Sequence, residues 1–211
     1  MPFSLRQQHA KEKFSIYLAV TTYCRTWQLQ AALPLCFLST LPHRNTVTWV
    51  IADCNDRTDR ESEVSIWLRR RVPAVLQLQH VFYFQRGKTD NWTGWDSSRA
   101  KNSAALAVQA VSHALGEDPS NVVLVNVDND QVFGTPFVNL LLDHGRQMCI
   151  KKELKAVFYK HPRVGSTTGR IACTLEAFLA VGGYWEGLLP AGSQDVFFMK
   201  CLSSLMGRSH T

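Results

Sequence analysis

The apolar run Val122-Val123-Leu124-Val125-Asn126-Val127 stops abruptly at Asp128-Asn129-Asp130-Gln131, and no other junction constrains the fold of this chain as tightly. The run is short and rich in β-branched residues. Asp118-Pro119-Ser120-Asn121 precedes it and Gly134-Thr135-Pro136 follows, so a buried strand is predicted. Two carboxylates therefore emerge at a strand end, on the edge of a core. In open α/β sheets ligands bind beyond the carboxyl ends of the strands. An Asp-x-Asp pair offers the hard oxygen donors that Mg2+ or Mn2+ prefer beside water and phosphate. The expected chemistry is metal-assisted handling of a phosphate-bearing substrate.

Strands and helices alternate around that junction. Hydrophobic patterning predicts strands over Phe14–Val20, Val47–Ala52, Leu76–Phe84 and Ala156–Tyr159. A helix is expected from Trp27 to Ser39, and another from an Asp59 cap to Arg71, with Glu61 and Glu63 at its positive end. A third covers Ser98 to Leu115 and is closed by Gly116. Thr135-Pro136 starts a fourth that Gly145 ends, Thr174 caps a short one ending at Gly182-Gly183, and a last begins near Gln194. Such alternation implies an α/β fold of three layers, α/β/α, around a mostly parallel central sheet. The 211 residues suit one domain, here 14–211 after an extension of 1–13, with a nucleotide-binding half at 14–130 and an acceptor-binding half at 131–211.

Composition is that of an ordinary globular chain, with 45% hydrophobic and 19% charged residues. A net charge of +6 fits an anionic partner, a nucleotide or a membrane surface, and fits equally a protein with no polyanionic ligand. The only basic run, Arg69-Arg70-Arg71, suits a helix C-terminus, so no nucleic acid is expected as a partner. The six cysteines form no C-x-x-C pair, which argues against structural zinc and for buried free thiols in a reducing compartment. No stretch reaches the roughly 18 apolar residues of a membrane span and no signal core precedes Phe14, so no transmembrane segment and a cytoplasmic location are expected. A missing upstream anchor would change that to a Golgi lumen or a membrane surface.

Four clusters fall where this architecture gathers strand ends. Thr21 to Arg25 follows the first strand, and Tyr23 could stack on a base while Arg25 meets phosphate. Asp53, after the second, could accept from the N–H of a base. Arg99, Lys101 and Asn102 lie in the first turns of a helix whose free N–H groups and dipole attract a diphosphate, although Arg99 and Lys101 also fit a solvated face. Gly182-Gly183-Tyr184-Trp185 combines close backbone approach with flat rings for a sugar, and Gln194-Asp195 opens a helix where Asp195 serves either as a general base or as a cap.

Taken in order, FSIYLAVTTYCR, VIADCNDRTD, RAKNSAALAV, VNVDND and AFLAVGGYWEGLLPAGSQDVFFMKCL resemble the family-2-like glycosyltransferases of the GT-A fold, from about Phe14 to Leu202. The resemblance implies a nucleotide-diphospho-sugar transferase with a Rossmann-like fold. By position, Asp53 matches the uracil-contacting aspartate, walled by Thr21, Tyr23 and Arg25. Arg99, Asn102 and Asp128 fall with the nucleotide. Asp128 and Asp130 match the Mn2+ or Mg2+ ligands, Asp195 the base that deprotonates the acceptor hydroxyl, and Gly182, Gly183, Tyr184, Trp185 and Gln194 the donor and acceptor platform. The implied reaction is metal-dependent, inverting transfer from a UDP-sugar to a saccharide or other hydroxyl acceptor.

Where the family has Glu-Asp, this chain has Gln194-Asp195 and so lacks one carboxylate. That departure keeps open an inactive nucleotide- or sugar-binding domain. A sugar nucleotidyltransferase would show a glycine-rich phosphate loop after the first strand, and Thr21 to Arg25 contains no glycine.

Overall fold

The structure, a computed structural model, describes residues 13–54, 62–71, 81–85, 96–160, 167–187 and 193–207. Its strands are β1 (Ser15–Thr22), β2 (Val47–Asp53), β3 (Val81–Gln85), β4 (Val122–Asp128), β5 (Ala156–Lys160) and β6 (Thr167–Thr174). Its helices are α1 (Thr26–Thr40), α2 (Glu63–Arg71), α3 (Ser97–Ala114), α4 (Thr135–Cys149), α5 (Leu175–Ala180) and α6 (Gln194–Gly207). The strands form one six-stranded sheet in the order β3-β2-β1-β4-β6-β5. Neighbours from β3 to β4 run parallel, whereas β6 is antiparallel to both β4 and β5.

Alternate residues of the strands feed two cores, as the period-2 geometry of a pleated strand requires. Ile16, Leu18 and Val20 of β1 pack toward α1, α2 and α4, while Tyr17 and Ala19 pack toward α3, α5 and α6. Helices thus cover both faces of a mixed, mostly parallel sheet, the three-layer arrangement expected.

Three expectations need correction. Strand β6 is not foreseen at all, because Gly169 and Arg170 interrupt its pattern and only Ile171-Ala172-Cys173 reads as core. Gly145 does not end α4, which continues to Cys149. It is a notch within the helix, since a Cβ there would lie 2.6 Å from the Phe14 ring and 3.3 Å from Ile16. Thr135 is the first helical residue of α4 rather than its cap, a place taken by Gly134, with Pro136 tolerated in the first turn. The Asp59 cap and the first residues of the strand expected from Leu76 lie outside the described residues.

Other signals hold. Gly116 (φ 69°) follows α3 in the left-handed conformation, and Thr174 caps α5 by accepting from the Ala177 N–H at 3.1 Å. Cys36, Cys54, Cys149 and Cys173 are buried free thiols, whereas Cys24 is exposed. Burial pushes the Cys149 thiol up to about 11 and Cys173 to about 12. Among the described residues no helix is long and apolar enough to cross a membrane.

Candidate functional site

Strand order reverses between β1 and β4: the chain moves outward from β1 to β2 and β3, then returns to β4 on the other side. Connections leaving adjacent strand ends in opposite directions open a crevice at that switch point. A cleft of about 340 Å³ lies there. Thr21, Tyr23, Cys24 and Arg25 wall one side, Asp128, Asn129 and Asp130 the other, and Ser97 and Lys101 of α3 form its back. Thr21 and Asp128 are register partners across β1 and β4, which sets the two walls level. Cys24 turns the β1–α1 loop in the left-handed region (φ 52°), a conformation that costs a non-glycine residue energy and concentrates at functional sites.

Lys101 is the centre of the site's electrostatics. Its side chain is only 5% exposed, and its Nζ lies 2.6 Å from Asp195 Oδ1 and 3.7 Å from Asp128 Oδ1. The ammonium also sits 5.3 Å from the centre of the Tyr184 ring. An ammonium buried between two carboxylates is not part of a solvated face, so that reading of Lys101 is overturned. Asp128 is held above the usual carboxylate range, chiefly by burial and then by the negative charges of Asp195 and Asp130, with Lys101 opposing the shift. A further cation in the cleft would relieve that repulsion.

Asp195 lies in the first turn of α6, which Gln194 opens directly after Ser193, another non-glycine residue at positive φ (53°). Tyr184, expected as a sugar platform, is instead a core wedge. It is 1% exposed and stacks on Phe198 with ring centres 4.2 Å apart. Its hydroxyl accepts from Asn126 Nδ2, and its own pKa stands well above the usual value, through burial first and then through the charge of Asp195 and the hydrogen bond to it. The ring that sequence placed against a ligand is buried beside Asp195 instead.

Asn102 is likewise redirected. Its Nδ2 donates to the Tyr184 carbonyl at 2.8 Å and to Glu186 Oε1 at 2.9 Å, and its Oδ1 accepts from the Tyr184 N–H at 2.8 Å. An amide spent on one backbone segment is a clamp, not a phosphate contact. Gly182 (φ 76°) and Gly183 (φ 71°) make the tight turn that delivers Tyr184 to this clamp. Arg99 pairs with Asp96 at 3.2 Å and Glu186 at 3.4 Å, and it does not line the cleft. Asp53 is fully buried, where its Oδ2 accepts from Ser62 and, at 2.9 Å, from the Tyr83 hydroxyl.

Thr21, Tyr23, Arg25, Asp128 and Asp130 are therefore gathered at one cleft, with Asp195 joined to it through Lys101. Trp185 stands exposed beside Phe197 with ring centres 5.3 Å apart, and Gln194 Oε1 is buried without a partner among the described residues. Sequence reasoning missed Asn126 and the bridging role of Lys101. A polar residue inside the Val122–Val127 run was the available signal for Asn126, because a buried amide requires a partner.

Asp128 and Asp130 offer hard carboxylate oxygens, and no group of three or more His, Cys, Asp or Glu side chains able to hold a metal ion occurs among the described residues. That set fits Mg2+ or Mn2+, which take one or two carboxylates and complete their shell with water and substrate phosphate, and it does not fit a closed structural site. Comparison with known proteins finds no matching family model and no matching curated protein.

Proposed function

We propose that this chain is a metal-dependent glycosyltransferase of GT-A type that moves a sugar from a nucleotide-diphosphate donor, a UDP-sugar, to an acceptor hydroxyl with inversion. The observation that carries the reading is the convergence of carboxylates from two distant segments: Lys101 ties Asp195 of α6 to Asp128 at the mouth of β4. Asp128 and Asp130 would hold Mg2+ or Mn2+, which when bound supplies positive charge against the departing diphosphate. Arg25 at the cleft wall adds a cation for phosphate oxygens, and Tyr23 offers a face for the base. Asp195, its side chain 21% exposed, takes the proton of the acceptor hydroxyl. As the acceptor oxygen bonds to the anomeric carbon, the bond from that carbon to the diphosphate oxygen breaks, and the nucleoside diphosphate leaves.

A non-catalytic nucleotide-binding domain is the second reading. It is favoured by one observation, that Lys101 and Tyr184 already engage the carboxylate of Asp195. The test is thermal unfolding with UDP, GDP, CDP and ADP, each with Mn2+ or a chelator, on the parent and on Asp130→Asn. A ligand at 100 times its Kd adds about 2.7 kcal/mol, or roughly 5 to 10 °C for a chain of this size. A Mn2+-dependent shift with UDP that Asp130→Asn abolishes supports the donor site, and no shift with any nucleotide sinks both readings. Asp195→Asn then separates them: transferase activity in the parent that is lost while UDP binding survives selects the enzyme.

A further inference from the structure

Helix α1 has two apolar faces, and among the described residues only one of them is packed. Leu29, Ala32, Leu33, Cys36 and Phe37 are buried against the sheet. Trp27, Ala31, Pro34, Leu35 and Leu38 fall within roughly a third of the wheel on the opposite side, where Trp27 is 68%, Leu35 54% and Leu38 65% exposed. No Asp, Glu, Lys or Arg occurs anywhere from Thr26 to Thr40. Apolar character on two opposite sides belongs to a helix that is covered on both. Exposed apolar residues also stand on neighbouring elements: Leu140 on α4, which packs on α1, and Val132 in the segment to which Cys36 and Ser39 hydrogen-bond.

On the other flank α1 packs on α2, whose last turn is Arg69-Arg70-Arg71, all exposed. Val64 and Leu68 turn inward, which sends Arg70 outward on a helix that packs against α1. The chain carries a net charge of +6, which favours an anionic occupant over a second copy of the same sign. An anionic lipid surface meets both halves of the face: the stripe with its Trp enters the headgroup boundary, and the arginines meet acidic headgroups.

We propose that the outer face of α1, with Arg70 and Arg71 of α2, docks this protein flat on an anionic membrane surface. The inference goes beyond the glycosyl-transfer reading and does not depend on it. The test is co-sedimentation of the full chain with phosphatidylcholine vesicles and with vesicles containing phosphatidylserine, in low and high salt. The parent should pellet with the anionic vesicles and be released by salt. Arg70→Ser with Arg71→Ser should weaken binding by about tenfold or more, and Leu35→Glu with Leu38→Glu should abolish it while the thermal melt stays cooperative. Should that glutamate variant fail to fold, Trp27→Ser, changed at one exposed position, must still weaken binding. No pelleting of the parent on anionic vesicles overturns the proposal. So does a dimer in light scattering that Leu38→Glu dissolves, because the face then belongs to a second copy.

Discussion

The two faces of the sheet are built on different physics. Under α1, α2 and α4 the core is a stack of rings: Trp49 meets Phe37 edge-on at 5.0 Å and lies parallel to Phe133 at 5.8 Å, and Phe137 links Phe133 to Tyr159. Its polar groups include the Trp49 Nε1 bond to Thr40 Oγ1 at 3.0 Å and, beside α2, the buried Asp53 carboxylate that accepts from Ser62 and Tyr83. Under α3, α5 and α6 the strands meet Ala104, Ala105 and Val108, small residues that let the helix approach closely, and polar groups fill the end nearest the cleft. Lys101, Asn102, Asn126, Tyr184 and Asp195 form one connected set there. Burial of rings tolerates small displacements because it has no direction, whereas hydrogen bonds and buried charges hold only in one geometry. The site rests on the directional face, so its shape and its stability stand or fall together.

The largest expected effect tests that dependence. Lys101→Met leaves Asp195 and Asp128 without their cation, and breaking a buried pair this way costs about 3 to 5 kcal/mol at neutral pH. Leu33→Ala on the other face costs about 2 to 5 kcal/mol through transfer and cavity terms. Denaturant unfolding across pH separates the two: the Lys101→Met loss should shrink as pH falls and Asp128 protonates, while the Leu33→Ala loss should not. Equal pH behaviour in both variants would erase the distinction between the faces.

A smaller contrast comes from one glycine on each side. Gly183→Ala would place a Cβ 2.7 Å from Asn102 Oδ1 and 2.9 Å from the Phe178 ring, at a positive φ that alanine resists. The expected loss is about 2 to 4 kcal/mol. Gly145→Ala meets the Phe14 ring, a half-buried side chain ahead of β1, and gains helix propensity, so a net loss of about 1 kcal/mol is expected. Denaturation midpoints in the reverse order would show that the Asn102 clamp yields more easily than the aromatic layer.

The smallest effect is a stabilisation. The Asp128 carboxyl has a folded pKa raised above the ordinary 3.8, so its contribution is complete below that value and is lost as pH rises through the shifted one. Asp128→Asn should therefore be more stable than the parent at neutral pH, with the difference vanishing in acid, and Mn2+ should narrow the difference by stabilising the parent alone. Thermal melts over a pH series that show the variant less stable at neutral pH would reverse this assignment.

How far this was legible in the sequence follows from the range of each interaction. Local signals carried well: the Val122–Val127 strand, the Thr174 cap, the start of α6 at Gln194 and the turn at Gly116 are each decided by neighbouring residues. The placement of Asp128, Asp130, Tyr23 and Arg25 at one cleft was also readable, because strand ends in an α/β alternation converge. What failed depended on partners distant in the chain. Nothing near Tyr184 says that Asn126 and Phe198 will enclose its ring, and nothing near Gly145 says that Phe14 will press on it. Lys101 beside Arg99 gave two cations at a helix start; only the fold separates the one buried between acids from the one paired at the rim.

The position of β6 between β4 and β5 sets an order of events during synthesis. Residues through β4 hold four strands whose parallel pairings need nothing downstream, so that part of the sheet has its partners once Asp128 has left the ribosome. Strand β5 emerges next, yet its ladder is with β6, which follows it in the chain. Until Thr174 is available, the open edge of β4 and the unpaired Ala156–Lys160 segment are both exposed, and unpaired strand edges are where nascent chains associate wrongly. The half of the protein that delivers Tyr184 and Asp195 is thus the half assembled last, and a pause in translation after β5 would prolong its most vulnerable interval.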